Sequence, residues 1–154
     1  MVPPRLTAVE RAYREHAAAM WRAMFLLAGD AEIASDAVSE AFAQALRRGD
    51  QLHSPERWIW RTAFAVTRGM LKERGRMTFD PPDVPAESSP ALFEVFDALR
   101  PLSSRQRGAV ILHYFEDLPI TEVAKRLGST PAAVGVHLHR ARKHLRRLLE
   151  EPDA

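Results

Sequence analysis

The sequence predicts an all-α protein: two small helical domains joined by a proline-rich linker. Apolar residues recur at three- and four-residue steps through most of the chain, and strand-like alternation is scarce. Helix-start signals recur too, in Ser54-Pro55, Ser103 to Gln106 and Thr130-Pro131. The periodicity stops over residues 77–90, MTFDPPDVPAESSP, where four prolines fall within 14 residues. Each proline removes a backbone donor that a helix needs, so this stretch reads as an extended linker.

The elements follow in order. A first helix is expected from about Thr7 to Leu27, with Tyr13, Ala17, Trp21 and Met24 spaced for one buried face. Gly29 ends it, and Asp30 is placed to cap a second helix over Ala31 to Arg47. There Ala34, Ala37, Val38, Ala41, Phe42 and Ala45 form an apolar stripe. Gly49-Asp50 breaks that helix, and Ser54-Pro55 restarts the chain, because a missing N–H costs nothing at the first helical position. The third helix runs to about Arg74, with Trp58, Ile59, Ala63, Val66 and Met70 suited to a core. Beyond the linker a fourth helix begins near Ala91, with Leu92, Val95, Phe96 and Leu99 on one face. Ser103 and Gln106 fit a capping box for a fifth helix through Phe115. A short helix over Ile120 to Leu127 and a last one from Pro131 to about Leu149 complete the chain. The expected organisation is one domain over 1–76, a linker over 77–90, a second domain over 91–149 and an acidic tail over 150–154.

Composition narrows the functional classes. Hydrophobic residues make up 46% of the 154 and charged residues 27%, as in ordinary globular proteins. Cysteine is absent, which excludes disulfides, thiolate metal sites and cysteine nucleophiles. No apolar run approaches a membrane span, and Met1-Val2-Pro3-Pro4-Arg5 lacks the apolar core of a secretory signal, so a cytoplasmic protein is expected. The six histidines form no metalloprotease string, and there is no Gly-rich phosphate loop or nucleophile elbow. An enzyme, a cofactor and a metal site are therefore not expected. Charge is distributed unevenly: residues 100–149 hold ten Lys/Arg against three Asp/Glu, for +7, while the whole chain is only +2. A polyanionic partner fits that block, and a solvated basic face is the plainer counterpart.

Three constellations sharpen the expectation. Ala124, Gly128, Val134 and Leu138 have the spacing of a helix-turn-helix: a small residue at the crossing, a turn glycine and two core anchors. The second helix of such a unit enters the major groove by its N-terminal part, which selects Thr130, Ala132, Ala133, Val136 and His137 as base-facing candidates. His139, Arg140, Arg142, Lys143, Arg146 and Arg147 follow as phosphate contacts. An ordinary helical hairpin with a basic face is the alternative. On the third helix Arg61, Phe64, Arg68, Lys72 and Arg76 share a face, with Trp60 at its edge; cations interleaved with aromatics suit single-stranded nucleic acid. The same pattern also fits a basic helix with core aromatics. On the second helix Asp36 and Glu40 stand four apart and present two carboxylates together, to a basic partner helix or simply to solvent.

Leu99-Arg100-Pro101-Leu102-Ser103-Ser104-Arg105-Gln106-Arg107, Leu112 to Leu118, Glu122-Val123-Ala124-Lys125-Arg126-Leu127-Gly128 and His139 to Leu145 together resemble region 4 of the extracytoplasmic-function (ECF) sigma factors of bacterial RNA polymerase. Ile33 to Phe42 and the third helix resemble region 2 of that family. The resemblance implies promoter-specific initiation by a non-enzymatic protein; a monomer is the simplest expectation for the free chain. Asp36, Glu40 and Phe42 would meet the clamp helices of core polymerase. Trp60, Arg61, Phe64, Arg68, Lys72 and Arg76 would melt and read the −10 element. Thr130, Ala132, Ala133, Val136, His137, His139, Arg140 and Lys143 would meet the −35 element, and an anti-sigma factor is an implied partner. The sequence departs from the family pattern at Ile33, Ser35 and Ser39, at Ala65 and Gly69, and at Ala133, Gly135 and Val136, each time losing a polar or charged group. Two alternatives stay open: a sigma-like regulator that does not initiate transcription, and a stand-alone helix-turn-helix regulator.

Overall fold

Thr7 starts the first helix through a reciprocal capping box with Glu10, at 3.1 and 3.2 Å. The structure, a computed structural model, describes residues 7–74 and 90–150, with side chains over 7–74 and 94–146. Among these residues every long element is an α-helix: α1 Ala8–Ala28, α2 Ala31–Arg48, α3 Pro55–Arg74, α4 Pro90–Leu99, α5 Ser104–Val110, α6 Ile120–Leu127 and α7 Pro131–Glu150. A 3₁₀ turn at Gly49–Gln51 separates α2 from α3. The expected linker over 77–89 and the tail over 151–154 lie outside the described residues, and Pro90 opens α4 instead of closing the linker.

Helices α1, α2 and α3 pack mutually through small residues. Ala34, Ala37, Ala41 and Ala45 of α2 are fully buried, which brings its backbone close to its neighbours. The α1 face differs from expectation. Met20, Ala23, Met24 and Leu27 are buried, whereas Tyr13 is 56% exposed and lies edge-on to Phe42, 5.0 Å between ring centres. Between α1 and α2 the turn needs Gly29, at φ +69°, both for that backbone conformation and because Phe96 of α4 sits where a Cβ would be. Asp30 then accepts from the Ile33 N–H at 3.0 Å and pairs with Arg74 at the far end of α3. Burial alone raises the Asp30 carboxyl, but the Ile33 N–H and Arg74 outweigh it and hold the group below its ordinary value.

The C-terminal half is built from α4 to α7. Ser103 and Gln106 form the expected capping box. The expected continuous helix through Phe115 instead changes to a π-helical turn over Ile111–Phe115. That turn lets Glu116 N–H reach the Ile111 carbonyl, and Asp117 reverses the chain at φ +53°. Helices of both halves contribute to one continuous apolar core. Phe96 meets Phe25 of α1, and Leu127 of α6 joins Phe64 of α3 in the same buried cluster.

Candidate nucleic-acid interface

Helices α6 and α7 form the helix-turn-helix that the spacing predicts. Ala124 is buried at the crossing, Gly128 ends α6 at φ +67°, and Val134 and Leu138 are fully buried anchors. Thr130 Oγ1 accepts from the Ala133 N–H at 3.2 Å and fixes the start of α7. Thr130, Ala132, Val136, His139, Arg140 and Lys143 are all exposed, with Val136 at 47%, while Ala133 and His137 are half-buried. Burial pushes the His137 imidazole below its ordinary value, helped by Arg105 and Arg140 nearby, so it is neutral at pH 7. Arg142 donates to the Tyr114 hydroxyl and lies 5.6 Å over that ring, turned towards an apolar groove with Tyr114 and Phe115 half-exposed. Arg147 belongs to the part of α7 whose side chains are not described.

On α3 the named residues separate. Arg61 and Lys72 are exposed and Arg68 is half-buried, but Trp60 and Phe64 are among the most deeply buried side chains, at 0% and 1%. They stack on each other with ring centres 6.2 Å apart. Arg76 lies outside the described residues. On α2 Asp36 is exposed, Glu40 accepts from Gln44 at 2.9 Å and pairs with Arg47 at 3.4 Å, and Phe42 is buried between α1 and α2. The helix therefore presents its two carboxylates outward and keeps the aromatic ring inside.

The surface of α3 that carries Trp60 and Phe64 is covered by the helix-turn-helix half. Arg57 donates two hydrogen bonds to Glu122 of α6, at 2.7 and 2.9 Å. Their fork raises the arginine pKa and lowers that of the glutamate. Arg126 lies 5.3 Å over the Trp60 ring, and the stem of Arg61 lies against Gly128. Arg57, Glu122 and Arg126 were not among the sequence candidates. Partners 65 residues apart leave no local pattern from which to find them.

The family model for Sigma-70, region 4 matches residues 92–145, which span most of α4, all of α5 and α6 and most of α7. The ECF RNA polymerase sigma factor SigL of Mycobacterium tuberculosis is 30% identical, over 90% of this chain and 87% of its own length. SigE of Mycolicibacterium smegmatis, also an ECF RNA polymerase sigma factor, is 30% identical over 86% of this chain and 58% of its own. Two solved structures share the fold. The sigma factor RpoE of Bartonella quintana, in complex with the anti-sigma factor NepR, has a TM-score of 0.76 at 20% identity, over 91% of this chain and 95% of its own. CnrH, in complex with the cytosolic domain of CnrY, has 0.71 at 21%, over 93% and 88%. With the helix-turn-helix in place and SigL matched almost end to end, this chain belongs to the ECF RNA polymerase sigma factors, which direct transcription to promoters.

Proposed function

We propose that the chain works as a non-enzymatic two-ended adaptor between core polymerase and a promoter, with α2 on the enzyme, α3 on the −10 element and α7 on the −35 element. The observation that carries this reading is the surface of α7. Its base-facing candidates are exposed at the start of the helix, and its cations follow on later turns, the order in which major-groove edges and phosphates are met. Asp36 and Glu40 are accessible to a basic partner helix from one face of α2, while Phe42 supports that face from beneath. On α3, Arg61, Arg68 and Lys72 supply charge for a displaced strand, and Trp60 and Phe64 supply flat surfaces for its bases once uncovered. Tyr114 and Phe115 beside Val95 and Leu99 offer an apolar groove for a protein partner, either polymerase or an anti-sigma factor such as the one bound by the structural relative RpoE.

Capture of purified core RNA polymerase by the wild type, compared with Asp36→Arg/Glu40→Arg, tests the polymerase contact. Reversing two charges that face a basic helix should weaken capture by at least about tenfold, as expected for close interfacial pairs. Equal capture by both proteins would remove α2 from the interface. Promoter-specific transcripts from core enzyme plus this chain test the whole assignment.

A further inference from the structure

The seam between the two halves holds a crevice that is cationic at its rim and apolar at its floor. Its volume is about 590 Å³, within the range of small-molecule sites. Phe96 and Leu102 are buried and form the floor with Leu71. Arg68 and Lys72 come from the end of α3, Arg100 follows α4, and Arg107 belongs to α5. Ser103 and Ser104 add two hydroxyls, and none of the described lining residues is acidic. We propose that this crevice binds a small organic polyphosphate of the nucleoside triphosphate class, with its phosphates on Arg68, Lys72 and Arg107 and its ring on the apolar floor. The site does not depend on the reading of α3 as a DNA surface.

The charge in the crevice is uncompensated from within the fold. Arg68, Lys72 and Arg107 make no ion pair among the described residues, whereas Arg57 and Arg74 of the same α3 each hold a carboxylate. Arg100 contributes less, because Asp97 lies 3.9 Å from it. Arg107 Nε is buried without a hydrogen-bond acceptor. Burial lowers the pKa of Arg107, and burial with the like charge of Arg105 lowers that of Arg68. Both guanidiniums remain protonated at neutral pH, so an anion between them relieves a cost that the fold already carries. Arg68 and Ser104 also line a narrower recess, together with Arg105 and His137, which extends the positive surface past α5. Guanidinium forks match phosphate oxygens in geometry as well as charge. The cations stand on two walls, one from each half, which suits a ligand that ends inside the crevice. A polymer backbone instead meets cations in line along one surface. A ligand held by both walls also adds to the cohesion of the halves, since it binds only where they meet.

Isothermal titration calorimetry of the full-length chain with adenosine triphosphate tests the site, in about 0.15 M salt, where exposed charges are screened more than buried ones. One saturable site per chain is expected. Arg107→Met removes the buried charge, keeps an apolar stem, and should weaken binding by at least about tenfold. Lys125→Met changes an exposed cation of α6 outside the crevice and should stay within about twofold. Inorganic tripolyphosphate, which lacks the ring, should bind about fivefold more weakly. Thermal unfolding gives a second readout: the triphosphate should raise the Tm of the wild type and leave that of Arg107→Met unchanged. Should Arg107→Met lose its helical circular dichroism, Lys72→Met, at an exposed position, takes its place with the same expectation. Absence of saturable binding by the wild type overturns the site. Equal weakening by Arg107→Met and Lys125→Met does so too, since it would reveal general attraction to a basic protein. Tripolyphosphate that binds as tightly as the nucleotide overturns the nucleotide class.

Discussion

Helices α3 and α7 carry the same mixture of cations and apolar groups at helical spacing, yet one hides its apolar members and the other displays them. On α7 the inward positions Val134, Leu138 and Ala141 are buried and Val136 is left to solvent, because α5 and α6 cover only one side of that helix. On α3, Ile59 and Ala63 pack against α1 and α2, and Trp60 and Phe64 pack beneath α6 and α5, so two sides are covered. The difference teaches that an aromatic stripe beside cations does not report exposure. What covers it decides, and the cover can come from a remote part of the chain.

The largest expected effect follows from that contrast. Trp60→Ala removes a fully buried ring and should cost about 3–5 kcal/mol of stability, whereas Arg140→Ala on exposed α7 should stay within about 0.5 kcal/mol. Urea unfolding of the two variants measures both. Arg140→Ala should appear instead in DNA binding, with the salt slope reduced by about one. A Trp60→Ala protein close to wild-type stability would break the comparison, since the ring would then have little to lose.

Acid should act on the seam before it acts on α7. The hydrogen bonds from Arg57, and the charges of Arg57, Arg126 and Lys125, hold the Glu122 carboxyl below its ordinary 4.5. A depressed pKa means that the pair's contribution is fully present above about pH 4.5 and is lost as pH falls through the lower folded value. Glu116, which faces Arg126 from the turn before α6, runs the other way: burial raises its pKa, so its protonation comes earlier and relieves a cost. The Arg57–Glu122 pair should therefore hold from neutral pH down to the ordinary carboxylate range and release only below it. Acrylamide access to Trp60 in a Trp21→Phe/Trp58→Phe background, across a pH series, reads this. Release beginning near pH 6 would show that a group other than Glu122 controls the seam.

Local chemistry made most of the fold legible. The Thr130-Pro131 start, the Ser103–Gln106 box, the Asp30 cap and the turn glycines each satisfy or terminate backbone groups within four residues, so their signals are complete in the sequence. The α2 stripe was legible for the same reason, since four small alanines and Val38 sit on one helical face. The π-helical turn at Ile111–Phe115 was not, because its composition suits an ordinary helix and the deviation is set by the chain reversal at Asp117. Nor was the side of α1 that faces inward, where Tyr13 and Met20 compete for burial and packing against α2 decides. For the site, the exposed positions of α7 could be read because the anchors Val134 and Leu138 fix its rotation. The seam could not, since Arg57 and Glu122 acquire meaning only when α3 and α6 meet.

The smallest effect concerns what α7 offers a base pair. Val136 and the half-buried Ala133 put methyl groups where polar side chains are usual in the family, which leaves thymine C5-methyls as their natural contacts. Each methyl removed from such a contact is worth at most about 0.8 kcal/mol, or roughly fourfold in affinity. Duplexes enriched from a random pool by polymerase carrying this chain supply the binding site, and thymine-to-uracil exchange then deletes one methyl at a time without touching the hydrogen-bonding edges. A loss of about two- to fourfold at one or two positions, abolished in Val136→Ser, would place those methyls against α7. Uniform affinity across every exchange would mean that α7 selects its site through phosphates and DNA shape, and its exposed face would then resemble that of α3 in charge alone.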